Sequence, residues 1–269
     1  MTSNGTALVT GASTGIGAVY ANRFARRGYD LVLVARDRAR LDQVAARLQA
    51  ETGVGVEVLQ ADLALTSERA TVEARLKRDD IAVFVNNAGM AVSGPTIYAD
   101  LEKLGAMIEL NVVAASRLAR IAAETLARKG SGTLINLASV AGLTNDRAAV
   151  SVYYNATKAF MLSLSEGLAM ELAPLGVRVQ AVLPGVTRTE IWERAGRDVN
   201  QIPEHMVMDV EDMVDAALAG LDLGEVVSII SLPDNNDWEA YKAARTALYP
   251  NLSHREPAPR YRTGKAGTA

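Results

Sequence analysis

Thr6-Ala7-Leu8-Val9-Thr10-Gly11-Ala12-Ser13-Thr14-Gly15-Ile16-Gly17 is the stretch whose reading decides the fold. Thr6 to Val9 is a short apolar run that reads as a buried strand, and Ala18 to Arg27 reads as a helix. The glycines between them permit a tight turn and a close approach of backbone to a pyrophosphate. The helix N-terminus then offers free N–H groups and a positive dipole end to an anion. An ordinary glycine-rich turn is the bland alternative. The strand before and the helix after separate the two.

Outward from this unit, short β-rich runs alternate with helical patterns. Leu31–Ala35, Val56–Gln60, Ile81–Val85, Thr133–Ala138, Val177–Val182 and Val226–Ser231 read as six further strands. Their nearly continuous apolar character implies burial on both faces. Alternation with helices implies parallel pairing through right-handed crossovers. The expected fold class is α/β: a doubly wound parallel sheet of about seven strands, a Rossmann fold, with helices on both faces. One domain is expected over 1–249, with a C-terminal tail over 250–269. Residues of about 186–210 follow a strand without clean periodicity and read as a loop covering a ligand site. Asn235 to Leu248 reads as a last helix, in which Trp238 is structural.

The composition excludes several classes. A hydrophobic content of 49% excludes disorder as the main state. A net charge of −3 with interspersed signs gives no basis for nucleic-acid binding. Cysteine is absent, which removes disulfides, thiolate nucleophiles and thiolate metal sites. The two histidines, His205 and His254, lack a metal-ligand spacing, so no metal is expected. No apolar run approaches a membrane span and no leader pattern precedes the first strand, so a cytoplasmic protein is expected.

Tyr154-Asn155-Ala156-Thr157-Lys158 carries the chemistry. A phenol and an ammonium four residues apart lie on one helix face. The nearby cation is expected to lower the phenol pKa, which suits proton exchange with a carbonyl or alcohol oxygen. Tyr153, five residues from Lys158, lies off that face. The helix that follows is apolar on most sides, through Phe160, Met161, Leu162, Leu168 and Met170. Such a helix needs cover on both sides; a second copy of the chain, as homodimer or homotetramer, is expected there, with the C-terminal segment as the alternative cover.

Taken in order, these motifs resemble the short-chain dehydrogenase/reductase family in its compact single-domain branch, across nearly all of residues 5–232. Thr10 to Gly17 resembles its glycine turn, and Asn86-Asn87-Ala88-Gly89 its segment after the fourth strand. Asn111 stands where the family has a catalytic asparagine, in a long helix. Ser139, Tyr154 with Lys158, and Pro184-Gly185 with Thr189 match its remaining motifs. The interval from Ser139 to Tyr154 is about two residues longer than is usual there, with Asn145-Asp146-Arg147 as the insertion.

The resemblance implies roles. Tyr154 is the general acid in reduction, and Lys158 bonds the nicotinamide ribose. Ser139 polarises the substrate oxygen, and Asn111 holds a water linking the lysine to solvent. Asp62 contacts adenine, although an N-cap role for the next helix competes with that reading. The implied cofactor contacts run through Gly11, Ser13, Thr14, Gly15, Ile16 and Gly17 of the first turn, and through Arg36, Asp62 and Leu63. They continue through Asn87, Ala88 and Gly89, then Pro184, Gly185, Val186, Thr187 and Thr189. NAD-dependent relatives carry an acid at the end of the second strand. Here Ala35 and Arg36 stand there, and a guanidinium suits a phosphate, so NADP(H) is expected over NAD(H). Asp37 is expected to cap the next helix.

The expected activity is NADPH-dependent reduction of an apolar ketone or aldehyde. Met90, Val140, Leu143, Val186, Ile191, Trp192, His205, Met206 and Met208 are candidate pocket residues. A non-enzymatic NADP(H) sensor would not need the tyrosine and lysine retained here. A nucleotide-sugar epimerase or dehydratase would need a larger C-terminal domain and a different glycine spacing.

Overall fold

A computed structural model of the chain describes residues 3–144 and 151–261. The Asn145-Asp146-Arg147 insertion lies outside the described residues. Two compact units form, Met1–Ile230 and Ser231–Ala269.

The first unit alternates strand and helix. It runs β1 (Thr6–Thr10), α1 (Gly15–Arg26), β2 (Asp30–Ala35), α2 (Arg38–Thr52), β3 (Val56–Gln60), α3 (Thr66–Leu76) and β4 (Ile81–Asn86). Then come α4 (Leu101–Ile108), a π-helical turn (Glu109–Ala114), α5 (Ala115–Lys129), β5 (Gly132–Leu137) and α6 (Val152–Leu172). The unit ends with β6 (Val177–Leu183), a short α7 (Ile191–Arg194), α8 (Val210–Asp222) and β7 (Val227–Ile229). The second unit holds α9 (Asn235–Thr246), where Trp238 is buried and stacks on Tyr241 at 5.2 Å.

The seven strands form one parallel sheet in the order β3-β2-β1-β4-β5-β6-β7. This is the expected doubly wound α/β fold. Successive side chains of a strand point to opposite faces, so each strand feeds two cores. Ala7, Val9, Leu31, Leu33 and Val85 pack with Phe24 of α1, Leu41 of α2 and Val214 of α8. Leu8, Val32, Val34, Phe84 and Leu134 pack with Val72 of α3, Leu118 of α5 and Leu172 of α6. Burial on both faces is why the strand sequences lack an exposed stripe. No helix among the described residues is long and apolar enough to cross a membrane.

Asn111 lies in a long helical run from Leu101 to Lys129 that is not α-helical throughout. Between α4 and α5 the chain adds a residue to the turn and becomes π-helical over Glu109–Ala114. In the single chain α6 is covered on one side only. Its buried positions include Asn155, Thr157, Lys158 and Ser165, while Met170 is 80% exposed and Phe160 half-exposed.

The strand order brings β1 beside β4. The chain winds outward in opposite directions from this pair, and the parting crossovers leave a crevice at the carboxyl ends of the strands. The site lies there.

Candidate active site

The glycine turn forms the floor of one end. Gly11 and Gly15 have φ of 68° and 55°, a region that favours glycine. A Cβ on Gly17 would lie 2.3 Å from the Gly11 carbonyl oxygen and 2.6 Å from Asn87 Nδ2, so only hydrogen fits. Thr14, the residue before α1, makes no side-chain cap, and the first turn carries no acid. The first N–H groups of α1 and its dipole end are therefore left to an anion. Thr10 fastens this turn to the end of β4: its Oγ1 accepts from Asn87 N and Ala88 N, both at 3.0 Å, while Asn87 Nδ2 donates to Thr10 O at 2.8 Å. A dinucleotide's pyrophosphate fits this cradle in both shape and charge.

Ala35 ends β2 and Arg36 follows it. Arg36 is 71% exposed, and its Nη1 lies 3.8 Å from Asp62 Oδ2. Asp37 caps α2 by accepting from Arg40 N at 3.0 Å. Asp62 is not the N-cap of α3, a position held by Leu65. It instead closes a turn by accepting from Ala64 N at 3.0 Å, which leaves it beside Leu63 on the wall.

At the other end stand Ser139, Tyr154 and Lys158. Ser139 follows β5, and its Oγ accepts from Ala141 N at 3.1 Å. Ser151 caps α6 by accepting from Tyr154 N at 3.2 Å, so Tyr154 falls in the first turn and its ring is buried. Tyr153 points away and is 38% exposed. Lys158 Nζ donates to Leu137 O at 2.8 Å.

The electrostatics differ from expectation. Burial pushes the Tyr154 phenol up to about 12, against a smaller downward pull from its hydrogen bond with Ser139. Burial also brings the Lys158 ammonium down to about 8. Desolvation sets the direction of both shifts.

One cleft of about 860 Å³ gathers nearly all the expected residues, at the upper end of small-molecule sites. It is lined by Gly11, Ser13, Thr14, Gly15, Ile16, Arg36, Asp62, Leu63 and Asn87 to Gly89. Ser139, Tyr154, Lys158, Pro184 to Thr187, and Thr189 line it too. Gly17 and Asn111 stand behind the lining. The Asn111 amide is satisfied by protein: Nδ2 donates to Met90 O at 2.8 Å and Thr157 Oγ1 at 3.2 Å, and Oδ1 accepts from Met90 N at 2.9 Å.

Of the expected pocket residues, Met90, Val140, Val186, Ile191 and Trp192 line the cleft, whereas Leu143, His205, Met206 and Met208 do not. Met208 is held away by main-chain bonds with Val186 and Arg188. Met206 lies in a short 3-10 turn, 54% exposed. Sequence reasoning missed Ala91, Leu110, Ala141, Arg40, Glu190 and Arg194 on the walls. Arg40 Nη1 donates to Glu190 Oε2 at 2.9 Å and Oε1 at 3.1 Å, and Arg194 donates to Oε2 at 2.5 Å. The Arg40–Glu190 pair joins α2 to the segment after β6, and no local pattern announces it, whereas Arg194 and Glu190 are four residues apart.

The model of the short chain dehydrogenase family matches residues 5–200. A solved short-chain dehydrogenase from Sphingobium yanoikuyae, in complex with NADPH, is 50% identical, with a TM-score of 0.92 over 96% of this chain and 100% of that one. A bulky-bulky ketone specific alcohol dehydrogenase from Comamonas testosteroni is 44% identical, with a TM-score of 0.88 over 97% of this chain and 99% of that one. An uncharacterized oxidoreductase from Staphylococcus saprophyticus is 35% identical over 187 residues, 69% of this chain and 79% of that protein.

Proposed function

The chain belongs to the short-chain dehydrogenase family and is an oxidoreductase, and from that premise we propose that it reduces apolar ketones or aldehydes to alcohols with NADPH. The observation that carries the proposal is one cleft with Ser139, Tyr154 and Lys158 at one end and Arg36, without an acid at the strand end, at the other.

The glycine cradle fits a dinucleotide. The Gly11–Ile16 turn and the α1 N-terminus would hold the pyrophosphate, and Arg36 the adenosine 2′-phosphate. Asp62 and Leu63 would face the adenine, Asn87 to Gly89 would form the floor beside the adenine ribose and the nicotinamide, and Pro184 to Thr189, next to Ser139, would hold the nicotinamide end. The dinucleotide of the Sphingobium relative supports NADPH as the group held. Hydride is the chemistry that bound NADPH supplies.

The chain's own residues supply the proton and the polarisation. Ser139 hydrogen-bonds the Tyr154 hydroxyl and donates to Pro184 O at 3.3 Å; turned toward a bound carbonyl, it would share the oxygen with Tyr154 as negative charge grows on it. With its phenol near 12, Tyr154 stays protonated through neutral pH and is ready to donate. Lys158, tied to Leu137 O, holds its buried Nζ over the ring. Asn111 acts on the frame, by fixing Met90 and Thr157.

Around the hydroxyls the walls are apolar: Met90, Ala91, Val140, Ala141, Ile191 and Trp192. They favour a ketone bearing two bulky apolar groups, and the specificity of the Comamonas relative supports the same class. A second copy of the chain is the partner proposed for the exposed apolar side chains of α6, to be checked by sedimentation.

The test is NADPH and NADH oxidation across a panel of ketones, aldehydes and quinones. Turnover of bulky apolar ketones with NADPH is expected. Tight NADPH binding with no turnover of any of them would overturn the reading in favour of a sensor.

A further inference from the structure

Arg69 of α3 is 3% exposed, and an arginine is seldom buried without partners. Nη1 donates to Glu109 Oε1 at 2.7 Å and to Leu63 O at 2.9 Å, and Nη2 donates to Thr66 Oγ1 at 3.2 Å. Glu73 Oε1 lies farther off, 3.8 Å from Nε, and is engaged by Arg117 at 2.7 Å. Glu109 is therefore the carboxylate that accepts directly from Arg69.

Both ends of this contact matter to the cleft. Leu63 is part of its wall, and Glu109 opens the π-helical turn that carries Asn111. A π turn is rare and needs a reason outside the helix. Were the segment to relax into a continuous α-helix, removing one residue from the turn would rotate the downstream residues by about 100°. Asn111 would leave Met90, whose N–H and C=O it now satisfies, and would leave Thr157, whose Oγ1 donates to Tyr154 O at 2.8 Å. A buried ion pair seldom adds net stability over a well-packed apolar substitute; its best use is to select one geometry.

We propose that Arg69 and Glu109 are a positioning pair, which holds the π turn so that Asn111 keeps Met90 and the first turn of α6 in their working places. The kinetic part of this inference rests on the carbonyl-reductase reading; the structural part does not. Neither residue touches the cleft contents. Glu73 and Arg117 complete the charged surroundings, from α3 and α5.

The experiment compares Arg69→Met, Glu109→Gln and the double variant with the parent, all as full chains. Arg69→Met keeps the bulk and lets Glu109, which is 36% exposed, turn to water. Hydrogen exchange at the Met90 amide, read without added cofactor, is expected to quicken about tenfold in each variant as its bond to Asn111 loosens. Turnover is expected to fall about tenfold, with the carbonyl KM within about twofold, because misplacement harms the reacting geometry more than binding. The double variant is expected to be no worse than either single one, since both cut the same link. Should Arg69→Met fail to fold, Arg69→Lys retains the charge without the fork and is expected to behave likewise. Unchanged Met90 exchange, parental turnover in both single variants, or additive losses would overturn the pair. A parent that reduces no carbonyl would defeat the functional reading alone, and Met90 exchange would still decide the pair.

Discussion

The Lys158 ammonium lies over the Tyr154 ring, 5.6 Å from its centre, and both side chains are buried. Burial pushes each toward its neutral form: the amine down to about 8 and the phenol up to about 12. The pair is thus poised as amine and phenol over much of the alkaline range, rather than as ammonium and phenolate.

That arrangement has a stability signature. Unfolded, Lys158 holds its proton to about 10.5, whereas folded it releases it near 8. Between these values the unfolded chain binds more protons, so this group's contribution to stability rises with pH across the window. Tyr154 has the opposite sign from about 10 to about 12, where the folded chain binds more protons and stability falls. Urea unfolding of the parent and of Lys158→Met at pH about 8 and about 10 isolates the amine. The parent is expected to gain on the variant as pH rises; a flat or falling difference would refute the burial argument.

Tyr154→Phe removes the proton donor and leaves the ring. Turnover of ketones is expected to fall by about 10² to 10⁴, the usual reach of general acid catalysis. NADPH affinity, read by fluorescence titration, should stay within a few-fold. Undiminished turnover would show that Tyr154 is not the donor.

Arg36→Ala separates the two dinucleotides. The guanidinium is exposed, so its charge acts partly through water and its effect belongs at the low end for such contacts. A loss of about tenfold in NADPH affinity is expected, with NADH affinity little changed. Equal losses for both would mean that Arg36 does not read the 2′-phosphate.

Glu190→Gln opens the pair with Arg40 that spans the cleft wall from α2 to the segment after β6. Exposed pairs contribute little, so a rise of a few-fold at most in the NADPH dissociation rate is expected. The difference from the parent should shrink in concentrated salt, where the parent's own pair is screened. Stopped-flow displacement of NADPH measures both; a salt-independent difference would point to packing instead.

Each feature was legible in the sequence according to the range over which it is encoded. The β1–α1 unit and the alternation after it are local, and burial on both faces writes them as apolar runs. The residues that line the cleft from strand ends were legible for the same reason. The segment after β6 was not, since its short 3-10 turns have no period. His205, Met206 and Met208 were consequently expected in a pocket they do not line. Arg40 with Glu190, and Arg69 with Glu109, are meetings of distant segments, so in sequence each looks like an ordinary charged helix residue. The Tyr154–Lys158 spacing gave proximity correctly. It could not give desolvation, which here decides the sign of the shift.

The position of β1 in the sheet bears on how the protein is made. Its two neighbours are β2 and β4, and on the ribosome the second arrives late. Thr10 is complete long before Ile81 emerges, and at about 5–20 residues per second that delay is roughly 4–14 s. For that time one edge of a strand with an apolar centre, Ala7-Leu8-Val9, has no partner in its own chain, which is the condition under which edges find strands of other chains. The element best protected in the finished protein is the one whose flank stays bare longest during synthesis, so slower translation between β1 and β4 should lower the soluble yield.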